Sequence, residues 1–259
     1  MAEKRYQDYV IKDGKFVGDF EGMYKDCENP WLQSDDDNVF DSRRAIAKTW
    51  IKKISLKSNV RVCEIGCGFG HITAELTNDG ICCVGSDISP TAIEKAKALN
   101  KNCDFVVANF DDFDFYASKK INVFLMAEVT WYVLPQLEKF LQNLQKHRAD
   151  IDEPIYLIHL LTTYADGVQK YGSEYFTDLD GILSYFGLNY LEYGYVVGGK
   201  EYDSESRGDL FCCKSLDELL MAYAQCFSVL GGKAFIKQNK FGVWQFRMWI
   251  SSEKKVEWE

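Results

Sequence analysis

Residues 64 to 70 read Glu-Ile-Gly-Cys-Gly-Phe-Gly and follow directly on the short apolar run NVRVC. Glycine at alternate positions lets a ligand come close to the backbone, and a loop between a first strand and a first helix stands at the positive end of that helix. The ligand expected there is nucleotide-like. The phosphate loop of NTPases does not fit, because it needs Gly-x-x-x-x-Gly-Lys-Ser/Thr and the stretch from Gly66 to Thr73 holds no lysine. The dinucleotide fingerprint Gly-x-Gly-x-x-Gly fits poorly: its third glycine would fall on His71, and the chain places it at Gly70. Glu64 adds a carboxylate just ahead of the loop, which repels a pyrophosphate but accepts from an α-ammonium group. Asp87 closes the next apolar run, about 20 residues further on, where a carboxylate accepts hydrogen bonds from both vicinal hydroxyls of a ribose. Each feature alone has a plainer account, a tight turn for the glycines and a helix cap for the aspartate. In register on one sheet they point to S-adenosylmethionine, with NAD or FAD as the runner-up.

That register requires an α/β scaffold, and from about residue 40 the chain alternates apolar runs with helical periodicity as such a scaffold does. Ile46, Ala47, Trp50, Ile51 and Ile54 fall on one helix face. NVRVCEIG is the first strand, HITAELTND opens a helix, and CCVGSDIS is the second strand. Ser89 and Pro90 supply the N-cap and first position of the helix TAIEKAKALN. CDFVVANF, INVFLMAEV and IYLIHLLTTY continue as third, fourth and fifth strands, with the helix LPQLEKFLQNLQKH before the fifth and a solvated His147 at its end. Thr177 and Asp180 resemble a capping box ahead of a sixth strand at NYLEYGYVV, and VWQFRMWI is the last. The expected architecture is Rossmann-like, a doubly wound, mainly parallel seven-stranded sheet in one domain. Residues 1–58 would form an N-terminal cover and first helix, 59–197 the cofactor-binding core, and 241–259 the last strand and tail. Residues 198–240 read as an inserted loop and helix, with a capping box at Ser215 and Glu218, suited to be a lid on the acceptor side.

Composition excludes several functions. The 259 residues carry a net charge of −9, and the basic residues are scattered, so a nucleic-acid partner would meet the wrong field. No run approaches the ~18 apolar residues of a membrane span, and MAEKRYQDYVIKDGK lacks the apolar region of a signal peptide. A cytoplasmic protein without membrane partners, monomeric or homodimeric, is expected. Nine cysteines form no Cys-x-x-Cys pair and read as small buried apolar residues, with neither disulfide nor metal expected. Cys63 and Cys67 lie close in sequence, but a strand entering a glycine loop does not aim both thiolates at one ion.

From about residue 24 to 197 the chain resembles the class I S-adenosylmethionine-dependent methyltransferases. EIGCGFG resembles their first motif and SDIS their second, which brings Ile88 beside Asp87 into the site. The third strand's end, VVANFDDF, resembles a Gly-Asp-Ala pattern, with Asn109 in place of the customary Asp. The resemblance implies that Asn109, Phe110 and Asp111 face the adenine, with the Asn109 oxygen accepting from its amino group and the Phe110 amide donating to its ring. ENPW, NVFDSRR and AEVTWYVL are similar to the nodulation N-methyltransferase group and related bacterial enzymes acting on small glycans. That likeness implies that Tyr24 and Trp31 cover the cofactor, that Arg44 reaches its carboxylate, and that Ala127 lies beside the methyl group. Trp31 as a buried anchor and Arg44 as a solvated residue are the plainer alternatives. The fourth strand departs from the family by starting at Asn122 where Asp is usual.

Methyl transfer from a sulfonium is an in-line displacement in which positioning does most of the work. An alcohol or ammonium acceptor must also lose a proton. Glu128, at the end of the fourth strand, is the first candidate for that base, with Tyr132 four residues on and His159 in the fifth strand as further candidates. His159 is otherwise a core histidine, and His71 is expected to frame the cofactor. The acceptor expected by resemblance is a sugar, sugar nucleotide or other building block of a bacterial surface polysaccharide, with Arg207 and Lys214 available to an anionic one. The alternatives are a protein or lipid-like acceptor, suggested by Tyr202, Phe211, Tyr223 and Phe227, and a non-catalytic partner or sensor that binds the cofactor.

Overall fold

A computed structural model of the chain describes residues 6–12, 14–31, 41–151, 153–164, 171–176, 181, 185, 193–197, 207–213, 232–238 and 244–250. They fall into two compact units, 1–40 with 47–158, and 41–46 with 159–259.

The first unit opens with α1 (Gln7–Val10), the hairpin β1 (Ile11–Lys12) and β2 (Lys15–Phe16), and α2 (Phe20–Asp26), followed by α3 (Asp41–Ser55), whose first residues belong to the second unit. Then come β3 (Val62–Ile65), α4 (His71–Asn78), β4 (Cys83–Asp87), α5 (Pro90–Leu99), β5 (Asp104–Val107), α6 (Phe113–Ser118), β6 (Val123–Ala127), α7 (Thr130–Asp150) and β7 (Tyr156–Tyr164), which belongs to the second unit from His159 onward. The strand order β7-β6-β3-β4-β5 makes a parallel sheet, with β7 entering where Tyr156 N donates to Asn122 O. Register sets the ends of the strands level, Ile65 opposite Ser86 and Met126, and Asp87 opposite Val107. The loops that follow β3, β4, β5 and β6 therefore emerge along one edge, where open α/β sheets bind ligands. The expected helix face is buried at Ile46, Ala47 and Ile51. Ser89 is the N-cap of α5, its Oγ accepting from Ala92 N at 3.1 Å, with Pro90 at the first helical turn, as its sequence predicts.

His147 is not solvated. Its Nε2 donates to Ile121 O at 2.8 Å, and its ring meets Phe113 and Phe124 in the aromatic cluster under α7. Leu137, Phe140, Leu144 and His147 follow each other at three- and four-residue steps, so the histidine lies on the buried stripe.

In the second unit β9 (Arg207–Cys213) pairs antiparallel with β7 and with β8 (Tyr193–Val197). β11 (Trp244–Ile250) pairs parallel with β8 and antiparallel with β10 (Gly232–Gln238). Two strands thus lie where the sequence suggests an inserted loop and helix, and the pairing within this unit is mostly antiparallel. LFCC is four apolar residues behind a charged run, and GKAFIKQ alternates only weakly, so neither announces a strand. The capping boxes at 177–180 and 215–218, Lys214, Tyr202, Tyr223 and Phe227 lie outside the described residues.

Candidate active site

The glycine loop is shaped by its backbone. Gly66, Gly68 and Gly70 have φ of 68°, 53° and 75°, the left-handed region that glycine alone enters without cost. A Cβ on Gly66 would lie 2.6 Å from Val129 Cγ2, so the loop packs directly against the end of β6. Three of its amides are engaged within the chain. Cys67 N donates to Ser86 O at 2.9 Å, Gly70 N to Cys67 O at 2.8 Å, and Gly68 N to Asp87 Oδ2 at 3.0 Å. Buried Glu64 accepts from Thr73 N at 2.8 Å and from Thr73 Oγ1, which places a carboxylate on the first turn of α4.

Two carboxylates of the chain itself sit among the donors that a pyrophosphate would need, and the helix dipole is answered internally. Cys67 is a small buried apolar residue, as its sequence suggests. Its side chain packs with Ile93, Ala96 and Phe105, burial pushes its thiol well above the ordinary range, and only its backbone shapes the loop.

Asp87 ends β4 with its carboxylate buried. Besides Gly68 N it accepts from Ser89 N at 2.9 Å, on Oδ1, and from Ile88 N. Burial pushes its carboxyl above the usual range, and the three amides oppose that shift. A carboxylate has about four acceptor positions, so capacity remains for a ribose hydroxyl. Around it lies exposed apolar surface, Ile88 at 55% and Val107, its cross-strand neighbour, at 48%, with Asn109 exposed beyond. Phe110 is buried against Phe140 at 5.6 Å, and its carbonyl accepts from Tyr116 Oη at 2.8 Å. Asp111 pairs with Lys139 at 3.5 Å.

The N-terminal segment packs on the loop and on α5. Tyr24 is buried against Phe69 at 5.7 Å and accepts from Trp31 Nε1 at 3.0 Å; burial, and next the Asp87 carboxylate, keep its phenol well above the ordinary range and therefore neutral. Trp31 and Phe20 flank Tyr132 at 5.7 and 5.4 Å. Glu21, which sequence reasoning missed, accepts from Ser89 Oγ at 2.6 Å, Thr91 Oγ1 at 2.8 Å and Thr91 N at 3.2 Å, with Lys25 at 3.1 Å. Those bonds, Ser89 first, hold its carboxyl at about 2. An acid depressed in the folded state stabilises it above the unfolded value of roughly 4.3, and the contribution fades as pH falls through the folded one. The protection of α2 amides, relative to their intrinsic exchange at each pH, should therefore fall between pH 4.5 and 2 more than that of the sheet. Glu21→Gln should flatten that pH dependence, as hydrogen-exchange mass spectrometry at several acid pH values can show.

Ala127 and Glu128 end β6 beside the loop. Glu128 has φ of 63°, a left-handed backbone that costs a side-chain-bearing residue of order 1 kcal/mol and is held where the surroundings over-determine it. His71 is the first residue of α4, its ring 6.5 Å from that of Phe69. Arg44, in the first turns of α3, and His159, in β7, belong to the second unit. Burial lowers His159 to about 4, so its ring is neutral at pH 7.

Residues 62–149, about a third of the chain, match the family described as "Methyltransferase domain". The solved structures similar to this chain include the N-methyltransferase NodS from Bradyrhizobium japonicum WM9 in complex with S-adenosyl-L-homocysteine, 17% identical, covering 73% of this chain and 94% of that one with a TM-score of 0.46. The PH0226 protein from Pyrococcus horikoshii OT3 is 16% identical over 75% of this chain and 100% of that one, TM-score 0.48. The bifunctional kinase-methyltransferase WbdD is 16% identical over 70% of this chain but only 41% of its own length, TM-score 0.45. No curated protein matches the chain. Among the described residues no helix is long and apolar enough to cross a membrane. The glycine loop, Asp87, Asn109 and Glu128 all lie within the stretch that matches this methyltransferase domain.

Proposed function

We propose that this chain is a class I S-adenosylmethionine-dependent methyltransferase, with S-adenosylmethionine as its cofactor, and that it methylates an oxygen or nitrogen of a small polar acceptor in the cytoplasm, a sugar, sugar nucleotide or other building block of a bacterial surface polysaccharide. The observation that carries the site is the pair of carboxylates on the loop's donors, Asp87 on Gly68 N and Glu64 on Thr73 N, which favours a cationic, phosphate-free nucleoside. The likeness of ENPW, NVFDSRR and AEVTWYVL to the nodulation N-methyltransferase group supports the acceptor class.

Bound S-adenosylmethionine supplies a methyl group on a sulfonium that leaves as a neutral thioether. Asp87 holds a ribose hydroxyl, while Ile88 and Val107 cover a face of the adenine and Asn109 accepts from its amino group. Tyr24 and Trp31 keep water from the site, and Glu128 takes the proton that an alcohol or ammonium acceptor must lose.

Asp87→Ala should weaken S-adenosylhomocysteine binding by about 1.5 to 3 kcal/mol, the worth of charge-assisted hydrogen bonds, and titration calorimetry would read it directly. Glu128→Gln should slow turnover and leave that affinity near wild type. Incubation with labelled methyl donor and a panel of sugars, amino sugars, sugar nucleotides, peptides and lipid-linked acceptors tests the acceptor class. Label on the sugars supports the proposal, and label only on peptides or lipids overturns it.

A further inference from the structure

α2 and α5 run alongside each other and exchange terminal contacts. At the start of α2, Glu21 holds Ser89 and Thr91, the first turn of α5. At the other end, Lys95 of α5 donates to Tyr24 O at 2.6 Å and to Cys27 O at 3.3 Å, the carbonyls that α2 leaves without helical partners. Each helix thus places a charge on the end of its neighbour's dipole where that charge is favourable. The turn clamped by Glu21 is the one whose Ser89 N and Ile88 N grip the Asp87 carboxylate. Asp87 in turn holds the glycine loop through Gly68 N. An unbroken chain of hydrogen bonds therefore leads from the N-terminal cover to the acid beside the ribose position.

We propose that Glu21 and Lys95 are positioning residues that set the aim of Asp87, so that docking of α2 and binding of the ribose are one coupled event. The proposal rests on the reading of Asp87 as the ribose acid. Glu21 itself stands behind Ser89 and Thr91 and acts through them. Coupling is reciprocal: whatever α2 contributes to ligand affinity, the ligand returns to α2 as protection from opening.

The test is calorimetry with S-adenosylhomocysteine and its 2′,3′-dideoxy analogue on wild type, Glu21→Gln and Lys95→Met, paired with hydrogen exchange of residues 20–27. Wild type should bind the parent ligand more tightly than the analogue, and the parent should slow exchange in α2. Each variant should bind the parent about 5- to 20-fold more weakly, within the usual range of coupling between sites, and bind the analogue as wild type does. The double variant should lose little beyond either single one, because both break the same clamp. A merely structural effect would weaken both ligands equally and leave the discrimination between them intact. That outcome, or unchanged affinity for the parent in both single variants, overturns the proposal. Wild type that binds the parent but does not distinguish it from the analogue overturns the ribose assignment and the coupling with it.

Discussion

Gly70→Ala is expected to lower the unfolding free energy by about 3 kcal/mol, from a left-handed backbone penalty of roughly 1 to 2 and an overpacking cost of roughly 1 to 3. Gly70 has φ of 75° and is the N-cap of α4, and an added Cβ would lie 2.2 Å from Phe105 Cε1 and 2.4 Å from Cζ. Phe105 cannot simply swing aside, because it is packed in the cluster of Cys67, Ile93 and Ala96. Gly80 provides the control. Its φ is 77°, but a Cβ there meets nothing within 4 Å, so Gly80→Ala should cost only the backbone part, about 1 kcal/mol. Urea titration of both variants separates the two contributions. Equal losses would mean that the Phe105 ring yields freely.

Asn122→Asp is expected to cost about 3 to 5 kcal/mol, the range for leaving a buried charge without compensation. The side chain is fully buried at the start of β6. Its Oδ1 accepts from Arg61 N at 2.7 Å, while its Nδ2 donates to Asn59 O at 2.8 Å and to Glu153 Oε2 at 2.9 Å. Glu153 also receives Arg61 Nη2 at 3.2 Å. An aspartate would turn the donating end into a second acceptor facing a carbonyl and a carboxylate. The Asp that the resemblance leads one to expect is therefore displaced for a local reason: Glu153 already brings the negative charge, and the strand needs a donor. Because the new carboxyl would be pushed upward by burial and by Glu153, it would gain stability on protonation. Thermal melts should then show the variant recovering toward wild type as pH is lowered from 8 to 5. A deficit independent of pH would rule out the carboxylate clash.

The inner strands were legible because each is a short apolar run closed by a residue with chemistry, Glu64, Asp87 or Glu128. The cap at Ser89 and Pro90 was equally plain, since capping depends on neighbours in the chain. What stayed hidden depends on partners far away in sequence. Nothing in FEGMYKD announces that Glu21 will meet Ser89, and nothing in the loop says that three of its amides are already taken. Asn122 looked like a departure from a pattern until Glu153 was beside it. His147 was legible in the three- and four-residue spacing of α7, but its polarity and place near the helix end argued for solvent. In the second unit β9 and β10 escaped notice because a half-polar strand of seven residues carries too little alternation to stand out.

The central claim is that the loop after β3 receives a sulfonium nucleoside and not a dinucleotide. Calorimetric titration of the wild-type chain with S-adenosylhomocysteine and, separately, with NADH tests it most directly. Saturable binding of the first and none of the second is predicted, whereas saturable heat with NADH and none with S-adenosylhomocysteine would contradict the account.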